Sequence, residues 1–281
     1  MKRFLRIARE LPITAMLLLF PVLICGLFGQ CFAPHDATLI NPSLALRAPS
    51  WLTGQGWTYI LGTDYLGRDV LSRVILGARS TLIVSVIGVV CAGVIGVFIG
   101  LFSGYLGGRF DLIIMRLVDM QMSMPAILLA LLISAAMGAG LTAVIIVIAI
   151  VFWTQYARVV RGETLSVKQR DFVVMARVEG CSSRRILVKH VIPHVIDSAV
   201  VIATLQLGTA VMLEAALSFL GLGVQPPAVA WGKMIAEARL YIATAWWLPT
   251  FPGIAIMVTV LGANLWGDWL RDKLDPKLRQ I

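Results

Sequence analysis

An all-α polytopic membrane protein is the fold class this sequence predicts, and three observations predict it. Of 281 residues 59% are hydrophobic and only 14% charged, with a mean hydropathy of +0.88, a balance that water-soluble domains of this length do not carry. Apolar runs of about 20 residues recur, the length that a helix rising 1.5 Å per residue needs to cross a ~30 Å hydrocarbon core. Lys and Arg collect in particular intervals between those runs. The net charge of +9 therefore reflects cytoplasmic loops of a membrane protein rather than a nucleic-acid surface.

Taken in order, residues 1–10 are a basic cytoplasmic N-terminus and residues 11–33 the first membrane helix. This start resembles a secretory signal, but its apolar part runs about 23 residues, beyond the 7–15 of a cleaved segment, so it reads as an anchor. Residues 34–79 form an extracytoplasmic segment. Its second half, DVLSRVILGARS, offers Asp69 as an N-cap and puts Val70, Leu71, Val74, Ile75 and Ala78 on one apolar stripe, which is expected to lie on the membrane surface or, as the alternative, to dock an external partner. The membrane-spanning core extends over residues 80–267. Its first span, about Ser80–Gly104, carries Gly88, Gly93, Gly96 and Gly100, spaced to let a neighbouring helix approach within the chain.

Between Met120 and Ala157 lie 38 uncharged residues, about 57 Å as one helix, so two spans share them and turn at Gly138-Ala139-Gly140. The earlier of the two starts near Leu112, is expected to kink at Pro125, and holds Arg116 and Asp119 three apart where they can pair. The later one ends near Tyr156. A fifth span, about Ser198–Leu222, contains the acid Glu214. Two readings of Glu214 stay open: a functional group on a translocation pathway, or an acid satisfied by a partner chain or interfacial water. The sixth span, about Trp246–Trp266, is bordered by interfacial tryptophans, and residues 268–281 form a charged tail. With the N-terminus inside, inner segments carry 18 Lys/Arg and outer ones 6. Six spans with both termini cytoplasmic follow.

The longest charge-rich interval, Ala157–His194, carries eight Lys/Arg against three acids. Within it stand five consecutive apolar residues, Phe172–Ala176, flanked by Arg170, Asp171 and Arg177. An apolar knob on a basic cytosolic loop is costly to leave bare, so a docking partner is expected. Gly180 suits a helix end in the left-handed region, and Ser182 or Ser183 can cap a second arm that climbs through Ile186, Leu187 and Val191 to Pro193. That arm leads into the fifth span. A push on the first arm would move a membrane helix.

Several chemistries lack their parts. The four cysteines show no Cys-x-x-Cys spacing, so neither a disulfide framework nor a zinc site is expected. His190 and His194 are four apart, but Pro193 lies between them and no acid or Cys completes a metal site. No G-x-x-x-x-G-K-[ST], His-Glu-x-x-His or G-x-S-x-G motif occurs, so the chain has no P-loop, zinc-protease helix or nucleophile elbow and is not expected to be an enzyme.

The basic loop, with Gly180 followed 13 residues later by Pro193 and preceded by Ala176, resembles the Glu-Ala-Ala loop of bacterial ABC importer permeases. Val174 and Met175 replace the family's Glu and first Ala. LGTDYLGRDVLSRVILGARSTL (Leu61–Leu82), GGRFDLIIMRLVDMQMSMP (Gly107–Pro125), LSFLGLGVQPP with AWGKMI (Leu217–Ile235) and GDWLRDKLDPKLR (Gly267–Arg279) look like the C-type permease of dipeptide, oligopeptide and nickel importers, and the resemblance covers nearly the whole chain. It implies a type I ABC importer permease fold in the bacterial inner membrane. It further implies that Phe172, Val173, Met175, Ala176 and Gly180 of a coupling helix meet a cytosolic ATPase, with Arg170, Asp171 and Arg177 at the rim. The implied partners are a homologous second permease, two ATPase subunits that bind ATP and Mg, an extracytoplasmic substrate-binding protein, and lipid. The expected function is alternating-access import of di- or oligopeptides or similar small solutes. The competing reading is a secondary transporter or channel that works without an ATPase, with Glu214 carrying a coupling ion.

Overall fold

A computed structural model describes residues 12–54 and 56–274. The expected cytoplasmic N-terminus (1–10) and the end of the charged tail (275–281) lie outside the described residues. Five helices are long and apolar enough to cross a membrane, and a bent helix pair makes a sixth crossing if it counts as one span. In chain order they are α1 (Ile13–Phe32), α2 (Val70–Leu106), the pair α3 (Gly108–Met122) and α4 (Ala126–Met137), α5 (Leu141–Lys168), a short α6 (Asp171–Val178), α7 (Ser183–Phe219), a second short helix α8 (Trp231–Ala238) and α9 (Trp247–Leu274).

α2 begins where Asp69 caps it, the carboxylate accepting the Ser72 backbone N–H at 2.9 Å. It then runs 37 residues, about 55 Å and well beyond the hydrocarbon core. The stripe from Val70 to Ala78 is thus no separate surface helix, as the sequence had suggested. Val70, Val74 and Ala78 instead pack with Trp231, Met234 and Ala238 of α8 and Trp247 and Leu248 of α9. The chain supplies its own cover for that stripe, so neither lipid nor an external partner is needed.

α2 packs most extensively on α5, and glycines set the distance. A Cβ at Gly96 would collide with the Trp153 carbonyl oxygen, and one at Gly100 would stand 2.5 Å from that of Ala157. Gly88 and Gly104 meet Ile148 and Thr164 closely as well, whereas Gly93 has ordinary room against the Tyr156 ring. The expected intrachain approach is present, with Gly104 in the place assigned to Gly93. Val84, Val89 and Ala92 of α2, Val144, Val147, Ile148 and Phe152 of α5, and Ala210, Leu213 and Leu217 of α7 close the central core.

The kink expected at Pro125 is a 93° break between α3 and α4. Pro125 has no N–H and its ring would strike the carbonyl four residues back, that of Gln121. That carbonyl instead accepts from Met124 N–H at 3.2 Å, and Pro125 starts α4 by accepting from Leu128 and Leu129. Nor does Asp119 pair with Arg116. Its carboxylate meets Arg158 of α5 at 2.5 Å, because α3 lies along α5 and offers a nearer cation than its own helix does.

Candidate functional site

The fourth span does not end near Tyr156: α5 continues to Lys168, and the hairpin that the punctuation implied is α6 with the start of α7. α6 starts after Arg170, with Asp171 in its first turn, where a negative charge suits the helix dipole. It ends in a paired motif: Cys181 N–H donates to the Ala176 carbonyl at 3.0 Å and Gly180 N–H to that of Arg177 at 3.1 Å. Gly180 has φ +81°, the left-handed conformation this stop requires. Ser182 then caps α7, its hydroxyl accepting from Arg185 N–H at 3.4 Å.

α7 runs unbroken from Ser183 through the membrane to Phe219. Pro193 interrupts its hydrogen-bond ladder, since it lacks a donor and crowds the carbonyl of Lys189. The helix absorbs this as a π-turn over Leu187–Val191, with Ile192 N–H reaching back to the Leu187 carbonyl. The second arm and the fifth span are therefore one rod.

α6 has two faces, and they divide the residues that the resemblance had grouped. Val173 and Ala176 are buried against Leu101, Val160, Val167, Ile186 and Val195, where they hold α6 to its own chain. Met175 is 66% exposed and Val178 83%, with Phe172 and Val174 partly bare beside them. Arg170, Asp171, Arg177 and Gly180 are also exposed. The outward apolar face is thus centred on Met175 and Val178, and the second of these was not among the residues expected from the sequence. The signal was there: Val178 follows Met175 by three residues on a helix.

Phe172 does not stand free. Its ring stacks on His194 with centroids 5.3 Å apart and meets His190 at 6.0 Å, while His194 Nδ1 lies 2.9 Å from the His190 carbonyl oxygen. An aromatic pair of this kind contributes about 0.5–1.5 kcal/mol beyond burial. It pins α6 to the base of α7. The two histidines act as its platform, and the described residues hold no group of three or more His, Cys, Asp or Glu arranged for a metal.

Glu214 sits on α7 with no exposed surface. Thr81 of α2 donates to one carboxylate oxygen at 3.1 Å and Ser218 to the other at 2.7 Å. Both oxygens find donors within this chain, so the acid needs neither a partner chain nor interfacial water.

A charged cluster at the end of the bundle away from α6 was not legible in the sequence. Arg68 reaches Asp64 at 2.7 Å and Glu237 at 3.0 Å, and Arg73 reaches the same two acids at 3.2 and 3.0 Å. It ties the loop before α2 to α8 across more than 160 residues of chain. Trp231 Nε1 reinforces it by donating to the Val74 carbonyl at 2.8 Å, and Trp247 Nε1 by donating to that of Thr63 at 3.2 Å. At the α6 end Asp111 of α3 holds Arg161 of α5 through both of its oxygens.

Over 93% of this chain and 87% of its own length, the di/tripeptide transport system permease protein DppC of Pseudomonas aeruginosa is 44% identical. The probable D,D-dipeptide transport system permease protein DdpC of Escherichia coli is 38% identical over 95% of this chain and 88% of its own. The glutathione transport system permease protein GsiD of Escherichia coli is 41% identical over 99% and 89%. An inward-facing MetNI methionine ABC transporter structure superposes on 72% of this chain and 96% of its own with a TM-score of 0.61 at 18% identity, a likeness of fold. Residues 96–280, which include α6, the rod of α7 and Glu214, match the binding-protein-dependent transport system inner membrane component family. The chain is a transport permease of the ABC importer type and not an enzyme, and it belongs to that family of inner membrane components.

Proposed function

We propose that this chain is one of two homologous permease subunits that carry peptides, di- or oligopeptides in the first instance, into the cytoplasm by alternating access. Two cytosolic ATPases that bind ATP and Mg dock on the exposed face of α6, and an extracytoplasmic binding protein delivers the solute. Both termini lie on the cytoplasmic side. The observation that carries this reading is α6 itself, a helix that buries Val173 and Ala176 in its own chain, presents Met175 and Val178 outward, and is pinned by Phe172 to a rod continuous with a membrane span. Burying two such side chains in a partner contributes about 1.5–3 kcal/mol each. Arg170, Asp171 and Arg177 rim that contact, and Gly180 shapes the turn that aims it.

The names of the relatives, for di/tripeptide, D,D-dipeptide and glutathione transport, support a peptide cargo. The competing ion-coupled transporter needs Glu214 to take up and release a coupling ion. An acid enclosed by Thr81 and Ser218 is poorly placed to do so, and its role here is to join α7 to α2 behind the pathway. The test is reconstitution of the natively purified complex in liposomes with its binding protein. ATP-dependent accumulation of a labelled dipeptide is expected; uptake that ignores ATP, or a chain that purifies without any ATPase, overturns the proposal.

A further inference from the structure

α5 carries a polar stripe that a lipid-facing helix would not. Gln155, Arg158, Gly162 and Ser166 are all exposed, and their spacing puts them on one helix face. Gln155 lies 15 residues past Gly140, about 22 Å along the helix and still inside a ~30 Å core. Its side-chain oxygen accepts a hydrogen bond from buried Gln206 of α7. Gln121 of α3 sits alongside, donating to the Ile150 carbonyl at 2.6 Å and accepting from Trp153 Nε1 at 3.0 Å. One turn lower is the Asp119–Arg158 pair, with 56% and 49% of the two side chains exposed. The break between α3 and α4 leaves Met122, Ser123, Met124 and Pro125 exposed beside them.

Lipid does not tolerate this combination. Unmatched amide and backbone groups cost several kcal/mol each in hydrocarbon, and non-helical backbone at membrane depth survives only inside protein or against a water-filled cavity. A dry subunit interface is also a poor match, because interface centres are depleted in charge, whereas this stripe, Val159 apart, stays polar from the inner third of the core to the cytoplasmic loop. Glu214 is enclosed elsewhere and adds nothing to it.

We infer that this face, with Gln155 and Gln121 above and the Asp119–Arg158 pair below, lines the inner half of the permeation pathway. The assignment rests on the permease reading and names the surface that the solute passes. Two neutral amides and one ion pair carry no net charge, and between them they offer donors, acceptors and both signs of charge. Arg116, exposed three residues from Asp119 on α3, adds one positive charge toward the cytoplasmic mouth. The lane therefore suits zwitterionic or neutral polar solutes, and it does not suit a bare metal cation.

Thiol labelling tests this on the assembled transporter in inside-out vesicles, with Cys25, Cys31, Cys91 and Cys181 replaced by Ala. Gln155→Cys, Val159→Cys, Gly162→Cys and Ala210→Cys are exposed to the charged reagent 2-(trimethylammonium)ethyl methanethiosulfonate, without nucleotide and after vanadate trapping. A Cβ at Gly162 meets no neighbour, and the position, about 33 Å past Gly140 and beyond the core, marks the cytoplasmic mouth. Val159→Cys, exposed one turn past Gln155, decides the outcome if Gln155→Cys fails to assemble. Modification at 155 and 162 in at least one state, with position 210 inert, is the expected result. Inertness at 155 in both states, or at 159 where Gln155→Cys does not assemble, overturns the assignment. ATP-dependent dipeptide uptake by the unmodified transporter, measured in parallel, reports separately on the permease reading.

Discussion

The two ends of this molecule are held by different kinds of contact. At the end that the proposed orientation makes outer, Asp64, Arg68, Arg73 and Glu237 form a closed ring of charge around the start of α2, with Arg73 and Asp64 almost fully buried. At the opposite end α6 is attached by two small apolar side chains, Val173 and Ala176, and one ring stack on His194. Buried charges exert a large penalty when any partner is withdrawn, so the outer end behaves as one rigid unit. An exposed ring stack and a short apolar contact give way more easily while still transmitting a push. The difference teaches which end is scaffold and which end is built to take a load.

Breaking the outer ring should have the largest effect. Arg73→Met leaves Asp64 and Glu237 facing each other with one cation fewer, which costs about 3–5 kcal/mol for a disrupted buried pair. The expected outcome is a marked fall in the thermal midpoint of the detergent-solubilised complex, with partial recovery when Glu237→Leu is added. Equal midpoints for wild type and Arg73→Met would dissolve the contrast between the ends.

Gly180→Val comes next. A β-branched side chain at φ +81° stores about 1–3 kcal/mol of backbone strain and misdirects the turn between α6 and α7. ATP hydrolysis should persist while dipeptide uptake is lost, as measured in the same liposomes; coupled uptake at the wild-type rate would remove Gly180 from the transmission.

Phe172→Ala should be milder, removing a contact of about 0.5–1.5 kcal/mol and the pin between α6 and the base of α7. Uptake per ATP hydrolysed is expected to drop several-fold, with Phe172→Tyr restoring it because the ring is kept. If Phe172→Ala lowers ATPase binding and leaves that ratio unchanged, Phe172 belongs to the docking face instead.

The smallest effect is expected for Glu214→Gln. The amide oxygen still accepts from one hydroxyl and the Thr81 or Ser218 oxygen can accept in turn, so transport kinetics should stay near wild type. A severe defect would return Glu214 to the pathway and weaken the case for Gln155.

Much of this architecture was legible locally. Asp69 as a cap, the stop at Gly180, the restart at Ser182 and the turn at Gly138–Gly140 depend on dihedrals and donors within a few residues. Span lengths depend only on counting apolar residues against a fixed thickness. Even so, Pro125 and Pro193 have the same covalent defect and different outcomes. The first breaks a span by 93°, and the second is absorbed as a π-turn inside a continuous rod. Nothing in either local sequence says which of the two distortions follows.

What the sequence determined by itself, then, is the membrane class, the apolar runs long enough to cross, the short hairpin around Gly180 and, through long motifs, the family. Those properties follow from hydrophobic transfer and backbone chemistry, which act residue by residue. Only the tertiary structure decided that Val173 and Ala176 face inward while Met175 and Val178 face out, that Asp119 takes Arg158 rather than Arg116, and that Glu214 is closed off by Thr81. Each of these depends on which helix lies alongside, and a charge or a ring pairs with whatever neighbour packing brings within a few ångströms, however distant it is along the chain.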